Sequence, residues 1–183
     1  PGRPIVSGIG GPTEHLSKLV DHWLQPVVQQ LPSYVKDTTH FLRIVEDWKE
    51  AHQPMPPGTL IVTIDVVGLY TNIPHHEVGP AITAALDRYD ADPATPPPHL
   101  LQTIIEHVLE NNVFDFDGEL YQQKFGTAMG TPMAPSIANI FMAWIEDKIL
   151  STSPWTIETT NWKRFIDDIA LLWFHGEDQL HEF

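Results

Sequence analysis

Leu60-Ile61-Val62-Thr63-Ile64-Asp65 and Arg164-Phe165-Ile166-Asp167-Asp168-Ile169-Ala170-Leu171-Leu172-Trp173 decide the fold. Both runs are apolar and rich in β-branched residues, the pattern of strands covered on both faces. Each also carries acid. A carboxylate in such a place is costly to desolvate unless it is paired, hydrogen-bonded or bound to metal. Taken singly, the acids have plainer readings: an Asp at a strand end caps the next turn, and two Asp residues favour a hairpin tip. Taken together, Asp65, Asp167 and Asp168 match two-metal phosphoryl transfer, in which carboxylates on adjacent strands hold two ions about 3.5–4 Å apart. Mg²⁺ suits such a set, because it takes hard oxygen ligands and shares them between one or two carboxylates and substrate phosphates.

Outward from these strands, apolar spacing marks helices. Thr13 can cap a helix with Leu16, Leu19, Val20, Trp23 and Leu24 on one face, and Pro26 is expected to kink or end it. Asp37 reads as the cap of a second helix carrying Phe41, Ile44, Val45 and Trp48. Residues 53–58 form a loop. Pro74 and the two histidines after it open a helix running to about Tyr89, and a further helix is expected from about His99 to Glu110. Val113 to Gln123 reads as a hairpin turning at Asp117-Gly118. A loop of small residues, 126–135, leads into an apolar helix from about Ser136 to Leu150. Trp162 to Trp173 reads as a last hairpin with Asp167-Asp168 at its tip, and the chain stops at Phe183 in a new helix. Mixed helices and antiparallel strands give an α+β layer, with helices packed behind one sheet.

The bulk composition sets limits. A chain of 183 residues with 42% hydrophobic and 19% charged residues is globular, with length for one fair-sized core. It contains no cysteine, which excludes disulfides, thiolate zinc sites and cysteine nucleophiles. No apolar run reaches membrane-spanning length; the longest, from Ile137 to Ile145, includes Asn139. A start at Pro1, with no charged-then-apolar leader, reads as a piece of something larger. The net charge of −14 and a pI near 4.9 run against the basic footprint of phosphate binding. Either nucleic acid is not the partner, or the basic contacts lie outside this sequence.

Chain order supplies specificity. Thr63-Ile64-Asp65-Val66-Val67-Gly68-Leu69-Tyr70-Thr71-Asn72-Ile73-Pro74 comes first, then Gly126-Thr127-Ala128-Met129-Gly130-Thr131-Pro132-Met133-Ala134-Pro135 with Asn139, then Phe165-Ile166-Asp167-Asp168. This order resembles palm motifs A, B and C of reverse transcriptases. The Leu69–Pro74 string, the Gly126–Gly130 stretch and Arg164–Ile169 look most like the Penelope-like retroelement enzymes, a group akin to telomerase. Arg3-Pro4-Ile5-Val6-Ser7 looks like the end of the family's fingers motif.

The resemblance implies a truncated polymerase right-hand fold: a palm-type antiparallel sheet backed by helices (59–183) with a remnant of the fingers (1–58), the thumb and any endonuclease domain being absent. It implies an RNA-directed DNA polymerase that adds dNTPs to a DNA primer 3′-hydroxyl on an RNA template, with two Mg²⁺ or Mn²⁺ ions. Asp65 and Asp167 would be the metal ligands, with Asp168 beside them and the backbone of Val66 completing a shell. Arg3 would grip triphosphate oxygens with its forked donors. Gly68, Leu69, Met129 and Gly130 would line the nucleotide site, and Tyr70 would be the steric gate under the sugar. Many members of the wider family carry Gln where Met129 stands and Ser where Ala134 stands. The resemblance implies an intracellular setting, nuclear or cytoplasmic, with the nucleus expected.

Two other readings compete. One is an inactive or co-opted retroelement remnant that serves as a binding module. The other is a different two-metal enzyme, such as a nuclease or nucleotide cyclase on a palm-like sheet. Tyr70 and the Met129-Gly130 loop argue against the second. His75-His76 is a weak metal candidate, since adjacent helical residues do not face each other. Asp115, Asp117 and Glu119 are expected to face water. The glycines at 126 and 130 lack the Lys-Ser/Thr ending of a phosphate loop.

Overall fold

The computed structural model describes residue 6 and residues 8–183. In chain order the elements are α1 (Glu14–Gln29), α2 (Thr38–Ala51), β1 (Leu60–Asp65), α3 (Leu69–Asn72), α4 (His75–Arg88) and α5 (Pro98–Glu110). They continue with β2 (Val113–Phe116), β3 (Glu119–Gln122), α6 (Ala134–Thr152), β4 (Trp162–Phe165), β5 (Asp168–Trp173) and α7 (Glu177–Glu182). This is the α+β class expected. The residues form two compact units interleaved in sequence. The first runs to Gln30 and resumes over Gly68–Trp144; the second comprises Leu31–Val67 and Ile145–Phe183.

The first unit is built on helices. In α5 the residues Leu101, Ile105, Val108 and Leu109 recur at helical spacing and are almost wholly buried, where α5 packs on α1 and α4. Each such side chain contributes about 1.5–3 kcal/mol on leaving water. In α1 the buried stripe is Ser17, Val20, Leu24, Val27 and Val28, while Leu19 is 46% exposed. Leu19 therefore leaves the face expected for it. Pro26 does not end the helix either. A proline removes one ladder bond, and the buried Val27 and Val28 beyond it hold the last turn in place. Ser17 and Ser136, both buried, are satisfied: Ser17 Oγ accepts the Met133 N–H at 3.0 Å, and Ser136 Oγ donates to Asp21 Oδ1 at 2.6 Å. β2 and β3 form the expected hairpin, turning through Asp117 and Gly118, both at positive φ (56° and 80°), the type I′ geometry that Asp-Gly favours.

The second unit carries a three-stranded antiparallel sheet in the order β1-β5-β4. β5 is central, and Ile169 to Trp173 are all buried, as its continuous apolar run predicts. β1 differs from expectation. It lies at the sheet edge among the described residues, its burial alternates, and Ile61 is 66% exposed. Its apolar run therefore marks a half-covered strand. α2 begins at Asp37, whose Oδ1 accepts the His40 N–H at 2.8 Å, as an N-cap should. Ile44 and Trp48 of α2 join Val35, Ala170 and Leu172 in one core cluster, with Phe41 and Val45 packed against it. α2 thus covers one face of the sheet at the end away from the acids.

Candidate active site

The register puts Asp65 opposite Asp168, Thr63 opposite Ala170, and Phe165 opposite Asp168. Cross-strand partners share a face, so Asp65, Asp168, Thr63, Phe165 and Lys163 lie on the side that α2 covers only in part. There they line a cleft of about 720 Å³ together with Phe41. Both Asp65 and Asp168 are exposed to it. Lys163 stands in the same wall, its Nζ donating to the Pro32 carbonyl at 2.7 Å. Burial holds its ammonium below the usual lysine range.

The hairpin tip differs from expectation by one residue. Phe165 pairs with Asp168, so the two central turn residues are Ile166 and Asp167, and Asp168 opens β5. Ile166 takes φ 56°, whereas Asp167 is not at positive φ. A single positive φ at the first central position is the type II′ arrangement, which favours glycine there. A β-branched residue in that region costs of order 1–3 kcal/mol and needs support from its surroundings. The Asp167 carbonyl in turn accepts the Val66 N–H at 3.0 Å, tying the end of β1 to the turn.

Support for the turn comes from a buried polar network that the sequence reading missed. Arg164 is wholly buried and Glu146 nearly so. Arg164 Nε donates to Glu146 Oε1 at 2.7 Å, and Nη1 donates to the Ile166 carbonyl at 3.1 Å. Trp162 Nε1 and Ser33 Oγ also donate to Glu146, at 2.9 and 2.6 Å. A signal was present in retrospect: Glu146 follows the apolar run of α6 and Arg164 alternates with Lys163 in β4, and an acid and a base call for each other once both are buried.

The other proposed nucleotide-site residues belong to the first unit. Gly68 caps α3 in the left-handed region, Leu69 is buried, and Tyr70 is half-buried. The Tyr70 carbonyl accepts the Thr127 N–H at 2.7 Å, which joins the segment after β1 to the loop of small residues. Gly126 makes that approach possible. Its φ is +69°, and a Cβ there would lie 2.2 Å from the Tyr70 carbonyl oxygen. His75 is not simply a solvated helix start, because its Nε2 lies 2.7 Å from the Gly126 carbonyl. Met129 and Gly130 are half-buried, and the Gly130 carbonyl accepts the Gly8 N–H at 3.4 Å. Arg3 lies outside the described residues.

Metal ligation can be tested against these donors. Among the described residues, no three His, Asp or Glu side chains gather into a ready-made metal cage. Mg²⁺ does not require one: it binds through one or two carboxylates, completing its shell with water and substrate phosphate. Asp65 and Asp168, opposed in register and lining one cleft, fit that pattern.

A family model described as reverse transcriptase (RNA-dependent DNA polymerase) matches residues 11–183. The chain belongs to the reverse transcriptase family. Among solved structures it is similar to apo telomerase from Candida tropicalis truncated from its C-terminal domain, with TM-score 0.65 and 16% identity over 96% of this chain and 36% of that one. It is also similar to telomerase from Candida albicans in complex with a TWJ fragment of telomeric RNA, with TM-score 0.64 and 12% identity over 93% of this chain and 32% of that one. At these identities the likeness is one of fold, and that fold is the palm type. The chain spans about a third of the length of those structures. A search of curated proteins returns no match. No helix among the described residues is long and apolar enough to cross a membrane.

Proposed function

We propose that this chain is the end of the fingers (1–58) and the palm (59–183) of a retroelement RNA-directed DNA polymerase of the Penelope-like type. The observation that carries the reading is the register of β1 and β5, which opposes Asp65 and Asp168 beside the Asp167 turn at the mouth of one cleft. The strings Leu69–Pro74, Gly126–Gly130 and Arg164–Ile169 favour the Penelope-like branch.

The reaction is attack of a primer 3′-hydroxyl on the α-phosphate of a dNTP, forming a phosphodiester bond and releasing pyrophosphate. Divalent ions, when bound, lower the pKa of the attacking hydroxyl and stabilise charge on the leaving oxygen. Asp65, Asp167 and Asp168 would hold them, with the Val66 backbone beside. The Val66–Asp167 hydrogen bond keeps the two acid-bearing segments in register as substrate arrives. Tyr70 would limit the space beneath the sugar, Gly68 and Leu69 would shape the same side, and Met129-Gly130 would border the incoming base. Arg3 would bind triphosphate oxygens. The template would be RNA and the primer DNA, in a nuclear setting.

The test is a primer-extension assay with labelled dNTP on a primed RNA template, using the intact protein with Mg²⁺ or Mn²⁺. Incorporation by the wild type and its loss in Asp167→Asn is the expected pair of results. No incorporation by the wild type, or the same incorporation by both, overturns the reading.

A further inference from the structure

The geometry points to Arg164 and Glu146 as a buried positioning pair that sets the peptide between Ile166 and Asp167, and so aims the aspartate-bearing turn. The catalytic meaning of this inference rests on the polymerase reading above; its structural content does not.

The argument begins with cost. Both charges are out of water, and a buried ion pair rarely stabilises a fold more than well-packed apolar residues of the same volume would. The pair is therefore poorly explained as a source of stability. Its connections are more specific. The guanidinium fork meets both Glu146 oxygens, Nε to Oε1 at 2.7 Å and Nη2 to Oε2 at 3.3 Å. That leaves Nη1 aimed along the chain at the Ile166 carbonyl, 3.1 Å away. Ser33 Oγ closes the network, donating to Glu146 Oε2 at 2.6 Å and accepting from Arg164 Nη2 at 3.4 Å. The Arg164 backbone is anchored too: its N–H donates to the Ser33 carbonyl at 2.6 Å, and its carbonyl accepts the Val35 N–H at 2.9 Å.

The carbonyl that Arg164 holds belongs to the central peptide of the turn. Types I′ and II′ differ chiefly in which way that peptide points. A flip would swing the Ile166 oxygen away from Arg164 and force Asp167 to positive φ. Arg164 pairs with Ile169, so its side chain lies on the sheet face opposite Asp65 and Asp168. It thus holds the turn from behind and leaves the cleft side free for ligands. A fork is needed for the task, since one planar group must satisfy a carboxylate and a backbone carbonyl together. Lysine, a point charge on a flexible stem, cannot fix both directions.

Two variants of the intact protein test this, Arg164→Lys and the apolar double replacement Arg164→Met with Glu146→Leu. The first readout is amide hydrogen exchange. The Val66 N–H is bonded to the Asp167 carbonyl, so a loosened turn exposes it first. We expect its exchange to rise about tenfold or more in both variants, while amides of Ile169–Trp173 keep their protection. The second readout is primer extension: kcat falls about tenfold or more while KM for dNTP changes by less than about twofold, the mark of an interaction that orients the reacting groups. Wild-type Val66 exchange in either folded variant overturns the inference. So does loss of protection across β5 together with Val66, which would mean that the pair only holds the core. If the wild type fails to incorporate dNTP, the polymerase reading falls, and the exchange readout still judges the turn.

Discussion

The N–H of Val66 donates to the carbonyl oxygen of Asp167 at 3.0 Å, so the residue that follows the first acid is fastened to the turn that carries the second. One backbone bond thus couples two segments a hundred residues apart in the chain. It acts on backbone groups only, so the carboxylates can be exchanged without breaking it.

That separation leads to a trade between stability and activity at Asp65. Like charges directly opposite on an antiparallel pair destabilise it by roughly 0.2–1 kcal/mol. Asp65→Asn removes one of the two charges, so its melting temperature without divalent metal should lie slightly above that of the wild type. Primer extension should fall on the order of 10²-fold or more, as expected when a group that stabilises transition-state charge is lost. Mg²⁺ should raise the wild-type melting temperature more than that of the variant. Equal metal responses in calorimetry would remove Asp65 from the ligand set.

Sugar selection isolates Tyr70. If its ring excludes a 2′-hydroxyl by overlap, Tyr70→Ala should raise kcat/KM for rNTP relative to dNTP by about tenfold or more. An unchanged ratio, or equal losses with both nucleotides, makes Tyr70 a packing residue.

Gly126→Ala should cost about 2 kcal/mol or more in chemical denaturation, because overpacking and left-handed backbone strain add at one site. The new methyl would sit 2.2 Å from the Tyr70 carbonyl oxygen at a φ of +69°. Gly8→Ala is the control: its Cβ would meet nothing closer than 3.6 Å, and its stability change should be slight. Similar losses in the two variants would disprove the close approach.

Strain at Ile166 can be measured against Ile64, also β-branched and half-buried but inside a regular strand. Replacing either with glycine removes similar apolar area, while only Ile166→Gly relieves a φ of 56°. Ile166→Gly should therefore be less destabilising than Ile64→Gly by about 1–3 kcal/mol. Matching losses would mean the turn stores no strain.

Local pattern in the sequence was enough for much of this protein. Leu101, Ile105 and Val108 sit on one helical face because helical spacing brings them there whatever lies beyond. Asp117-Gly118 turned as expected because both residues tolerate positive φ without outside help. The order of Asp65, Tyr70, Met129-Gly130 and Asp167-Asp168 was enough to indicate the family, since chemistry constrains residue types that stand next to one another. Tertiary structure decided the rest. β1 became an edge strand because burial of its second face depends on a neighbour that no local pattern specifies. Ile166 entered the left-handed region against its own preference, and Arg164 found Glu146 eighteen residues away in sequence. His75 met the Gly126 carbonyl across a gap of 51 residues. Such pairings answer to the cost of leaving a buried charge or a strained peptide unsupported, and that cost exists only once the chain has folded and water has been excluded.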